Sequence, residues 1–66
     1  MESKLIFIVE KDDTYHYFTA IDNITGVAII HNLPFHTYDD EFPGEDVIIN
    51  ELAAEQGKEI LNIVHI

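Results

Sequence analysis

Only one stretch of this chain has the spacing of a helix, and everything around it reads as strand or turn. Ile48, Ile49, Leu52 and Ala53 recur at helical intervals, and Gly57 stands where a left-handed residue would close the last turn. Gly44 or Asp46 can open the helix, and Glu45 and Asp46 fall where the helix dipole favours negative charge. One helix covers one face of a sheet. Any β segments that are apolar on both sides therefore need cover from something else: a loop, a second copy of the chain or a target.

Such segments exist. Leu5 to Val9 is an unbroken apolar run of β-branched and aromatic residues ended by Glu10-Lys11-Asp12-Asp13, which predicts a central strand running into a polar turn. Tyr15 to Ile21 alternates Tyr15, Tyr17, Thr19 and Ile21 with His16, Phe18 and Ala20, and reads as a second strand hairpinned to the first. Asp22 to Gly26 is turn chemistry, with Asn23 and Gly26 able to take positive φ. Val27 to His31 follows as a third strand. After the helix, Lys58 to Ile66 resumes strand character, with Ile60, Val64 and Ile66 expected on one face and Leu61 and Ile63 on the other. The apolar Ile66 is expected to be tied into the sheet.

Between strand and helix, Asn32 to Glu45 has no period and contains Pro34, Pro43 and Gly44, so a long loop is expected. Its Leu33, Phe35, Tyr38 and Phe42 are too apolar for a freely solvated segment, and should pack back on the sheet or meet a partner. The expected architecture is thus a single α+β domain over residues 1–66, in β-β-β-α-β order, with a mainly antiparallel sheet and the helix on one face. The chain starts at Met1 without a visible tag, as a complete small reading frame would. A homodimer through the uncovered face or an edge strand is the expected way to hide the remaining apolar surface.

Charge narrows the partners. With 13 acidic residues against Lys4, Lys11 and Lys58 and no arginine, the net charge is -10. That disfavours direct contact with a nucleic-acid backbone or an anionic membrane and favours basic protein surfaces or cations. Hydrophobic residues at 47% keep the composition that of a folded domain despite the charge. The absence of cysteine excludes disulfides, thiolate metal sites and a cysteine nucleophile, and fits a reducing compartment. The N-terminal apolar run is too short for a signal peptide or a span, so a cytoplasmic protein is expected.

The acids concentrate. Asp39, Asp40, Glu41, Glu45 and Asp46 surround Phe42-Pro43-Gly44, and Glu51 and Glu55 extend the charge along the helix, unanswered by a lysine until Lys58. Glu51 and Glu55 lie one helical turn apart, roughly 5 to 6 Å between Cβ atoms, comparable with successive phosphates along a strand. Their repulsion costs a few tenths of a kcal/mol, a cost that is easiest to understand if the array is used. These residues point to a non-enzymatic binding protein that inhibits or regulates a macromolecule by occupying its basic, nucleic-acid-binding surface, a DNA mimic of the kind mobile elements and viruses carry. Phe35, Tyr38 and Phe42 are the candidate anchors beside the acids Asp39, Asp40, Glu41, Glu45, Asp46, Glu51 and Glu55.

Two other readings compete. In one, the acids only solubilise a homo-oligomeric structural or assembly protein. In the other, His31, His36, Asp39, Asp40 and Glu41 wrap a metal or a small ligand, although their spacing matches neither a zinc finger nor an EF-hand loop. No cofactor is expected. His16 and His65 read as sheet residues without a role, and no Ser, His and Asp ordering suggests an enzyme.

Overall fold

A computed structural model describes residues 2–37 and 41–66. The elements run β1 (Leu5–Lys11), β2 (Tyr15–Asp22), β3 (Ala28–His36), α1 (Glu45–Gln56) and β4 (Ile60–His65), the predicted β-β-β-α-β order. They form one four-stranded mixed sheet in the order β3-β2-β1-β4. β1 pairs antiparallel with β2, β2 antiparallel with β3, and β4 parallel with β1. The segment containing α1 therefore carries the chain from one sheet edge to the other, over one face.

The β1–β2 turn is built by Asp12, whose Oδ1 accepts the backbone N–H groups of Thr14 and Tyr15 at 2.8 and 2.7 Å. The second turn repeats the device: Asp22 Oδ1 accepts the N–H groups of Ile24 and Thr25 at 2.9 and 3.0 Å. Gly26 takes positive φ there as expected, but Asn23 does not. Its side chain instead accepts the Lys4 N–H at 2.8 Å. Gly57 closes α1 at φ 65° and ψ 31°, with its N–H donating to Ala54 O at 3.0 Å. Gly44 stands before the helix at φ 107°, its carbonyl accepting the Ile48 N–H at 3.3 Å.

Alternation sorts the strands into two faces. Leu5, Phe7 and Val9 of β1 and Phe18 and Ala20 of β2 face the helix and are buried against Ile48, Ile49, Leu52 and Ala53. All four helix residues named from the sequence are thus core. Ile30, Leu33, Phe35, Phe42, Ile60 and Ile63 close the rim.

Two expectations need correction. The loop expected over 32–45 is shorter, because β3 continues through Leu33, Pro34 and Phe35 to His36. Leu33 and Phe35 alternate inward with the sheet period, and an edge strand tolerates the N–H that Pro34 lacks. An extra residue breaks the simple pattern. Opposite Thr19 the chain bulges at Asn32, which takes φ 50°. Asn32 donates its N–H to Thr19 Oγ1 at 3.1 Å, and Thr19 Oγ1 donates to Asn32 Oδ1 at 3.2 Å.

The faces of β4 also differ from expectation. Register with β1 steps from Leu5↔Ile60 to Ile6↔Asn62, so one β4 residue is skipped. That irregularity at Leu61 turns both Ile60 and Ile63 toward the core, where strict alternation would separate them. Ile66 is tied to the sheet, donating its N–H to Val9 O at 3.0 Å. Among the described residues, no helix is long and apolar enough to cross a membrane.

Candidate functional site

The acids of α1 divide by helical period. Ile48, Ile49, Leu52 and Ala53 face the sheet, and Asp46, Glu51 and Glu55 are all exposed, Glu51 and Glu55 one turn apart on one flank of the helix and Asp46 on the other. No basic residue stands in the last turn. Lys58, the nearest cation in sequence, is held elsewhere: its Nζ lies 2.9 Å from Oδ2 of the buried Asp22. Lys4 Nζ lies 3.6 Å from the exposed Glu59. The outer carboxylates of the helix therefore keep their field. Glu41 is exposed just before the helix.

Glu45 behaves differently. It is partly buried under the helix start, with Oε1 3.2 Å from His16 Nε2 and Oε2 3.1 Å from His65 Nε2. One carboxylate thus bridges β2 and β4, the strands flanking β1, and pins the helix N-terminus over the sheet. His16 is buried, its Nδ1 lies 2.9 Å from Thr37 Oγ1, and its ring stacks on Phe42 with centroids 4.8 Å apart. Both ring nitrogens of this buried imidazole are satisfied, as the low-dielectric interior demands.

His16 and His65 are the residues that sequence reasoning passed over. They are 49 positions apart (65 − 16), and only the parallel addition of β4 beside β1 brings both to Glu45. One signal was present: His16 shares the Phe18 and Ala20 face, so a polar side chain there required a partner. Their unequal burial sets a prediction. The side chain of His16 is 9% exposed and that of His65 is 61% exposed. His16→Ala should lower the melting temperature by about 10 °C through the cavity and the stranded Glu45, whereas His65→Ala should lower it by less than about 4 °C. Equal losses in thermal melts followed by circular dichroism would remove His16 from the central position given to it.

Of the sequence-derived anchors, Phe35 lies edge-on to Phe18 at 5.5 Å and Phe42 stacks on His16, so both are spent largely on the core rim. Tyr38, Asp39 and Asp40 lie outside the described residues. Glu51 and Glu55 share one flank of the helix and Asp46 is exposed on the other, while Glu45 is turned inward. Of the metal set, His31 and His36 are exposed on β3, His36 lies edge-on to Tyr15 at 5.3 Å, and Asp39 and Asp40 fall outside the described residues. Among the described residues, no three His, Asp or Glu side chains are grouped so as to hold a metal ion.

Fold and surface together define a small acidic α+β domain with a mixed four-stranded sheet and one helix. No family model, curated protein or solved structure matches this chain.

Proposed function

We propose that this chain is a non-enzymatic, cytoplasmic binding protein that occupies the basic, nucleic-acid-binding surface of another macromolecule and thereby inhibits or regulates it. One observation carries the reading: Glu51 and Glu55 stand exposed on one flank of α1, with Asp46 exposed on the other and no cation in the last turn, while the nearby lysines are engaged with Asp22 and Glu59. A helix selected only for stability gains from opposite charges one turn apart and loses from like ones. Glu51 and Glu55 do the reverse. Their value lies in the field that steers a positively charged surface toward the helix and rejects anionic competitors. The core beneath is well packed, so the carboxylates are displayed on a regular element and not on a loop. In this reading Glu41 adds to the field, and Glu45 serves by fixing the helix.

The reading is tested by capture. Immobilised protein should retain a nucleic-acid-binding protein from nuclease-treated lysate at low salt, release it as salt rises, and lose it to added duplex DNA. Glu51→Lys with Glu55→Lys should weaken that capture by about tenfold or more, leaving the circular dichroism spectrum unchanged. Capture that survives both the charge reversal and added DNA overturns the proposal.

A further inference from the structure

The two edges of the sheet are built differently. β3 carries Pro34, the Asn32 bulge and a second register shift between Ala20 and Ile21, three devices that stop another strand from adding to it. β4, at the other edge, has no proline, and its one irregularity, the skipped Leu61, lies near its start, leaving Asn62 to His65 in regular register with β1. Its sequence Ile60-Leu61-Asn62-Ile63-Val64-His65 holds no carboxylate and no lysine, in a chain of net charge -10. Leu61 is 50% exposed, Val64 38% and Ile66 73%.

The outward backbone groups can be placed. Ile66 N–H points inward to Val9 O, and N–H directions alternate along a strand, so those of His65 and Ile63 point away from β1. Ile63 N–H is bonded instead to Oδ1 of its own neighbour, Asn62, at 2.9 Å. An exposed side-chain amide stands where the carbonyl of an adjoining strand would be.

We infer that β4 pairs antiparallel with β4 of a second copy across a two-fold axis at Ile63, giving one continuous eight-stranded sheet. Ile63 then exchanges both backbone hydrogen bonds with its counterpart, Leu61 lies opposite the second copy's His65, and Asn62 opposite its Val64. Every cross-strand pair is free of opposed carboxylates. That matters because each copy carries the same net charge of -10, and like charges directly opposite disfavour pairing. β4 offers a self-complementary edge on which two such chains meet without that penalty, and the isologous contact closes on itself. The open face is extended by the same operation. Ile6, Ile8, Tyr17 and Ile21, partly buried on the side away from α1, become one continuous apolar surface with their symmetry mates. This contact does not rest on the acidic helix face, and the two respond oppositely to salt. Screening weakens capture of a basic partner and strengthens association of two acidic copies.

Sedimentation equilibrium of the intact chain tests the inference. Wild type should sediment at twice the chain mass at about 100 µM, with tighter association as salt is raised. Asn62→Glu with Val64→Glu sets carboxylates directly opposite each other and should sediment as a monomer with an unchanged circular dichroism spectrum. Asn62→Lys with Val64→Lys should also be monomeric alone. An equimolar mixture of the two variants should recover the dimer, because positions 62 and 64 face each other only in this register. A monomeric wild type at that concentration overturns the inference and leaves the edge for another protein's strand. A dimer that survives in the glutamate variant, or variants that fail to recombine, overturns it by placing the contact elsewhere.

Discussion

Replacing Phe7 by alanine should leave most of the protein unfolded at room temperature. Phe7 is fully buried on β1, which lies between β2 and β4, with Ala20 opposite on one side and Ile63 on the other. A buried Phe→Ala change costs about 3–5 kcal/mol, the larger values where the surroundings cannot collapse into the space. Here collapse is resisted, because β1 is hydrogen-bonded to a strand on each side and α1 is pinned above by Glu45. Domains have roughly 0.05–0.15 kcal/mol of stability per residue, which for a chain of 66 residues makes that loss comparable with the whole. Phe7→Leu keeps most of the volume and should cost less than about 1.5 kcal/mol. Leu61→Ala, on an exposed side chain, should change the monomer's stability by less than about 0.5 kcal/mol. Urea denaturation distinguishes these outcomes. A cooperative Phe7→Ala transition with a midpoint near wild type would show that the core does not centre on β1.

The order of elements was legible because each carried a local signal: an apolar run at Leu5–Val9, alternation from Tyr15, a stripe of Ile48, Ile49, Leu52 and Ala53, and Gly57 at its end. The length of β3 was not legible. Pro34 reads as a breaker until the strand is known to lie at an edge, and edge position is a property of the sheet. The face assignment of Ile63 failed for a related reason, since the skipped residue at Leu61 is fixed by pairing with β1. At the candidate site, the exposure of Asp46, Glu51 and Glu55 followed from helical period, since none of them falls in the stripe of Ile48, Ile49, Leu52 and Ala53. The inward turn of Glu45 did not, because its two partners come from β2 and β4. Local periodicity displays the acidic surface, while the bridge beneath it depends on tertiary pairing.

Asp22→Asn should remove a large part of the stability at neutral pH and flatten its dependence on acid. Asp22 is buried at the end of β2, where Oδ2 receives Lys58 Nζ at 2.9 Å and Oδ1 accepts two backbone N–H groups of the turn that follows. The Lys58 ammonium first, then the N–H groups of Thr25 and Ile24, hold its carboxyl far below the usual carboxylate range, against an opposing contribution from burial. Because the folded-state pKa is depressed, the unfolded chain binds the proton more readily. The stabilisation is therefore fully present above the ordinary carboxylate pKa of about 3.9, and is lost as pH falls below it toward the folded-state value. The amide that replaces the carboxylate keeps an acceptor for the turn but offers no charge to Lys58, which joins the end of α1 to β4. The variant should melt about 10 °C lower at pH 7. Its deficit should shrink steadily below about pH 4, because wild type loses there what the variant never had. Asp12, whose carboxyl is lowered by the N–H groups of Tyr15 and Thr14, remains in both proteins and should leave a shallower acid limb in the variant. Melting curves from pH 7 to pH 2 that run parallel for the two proteins would show that the Asp22–Lys58 bridge contributes nothing to folding, and that the join between α1 and β4 is held by packing alone.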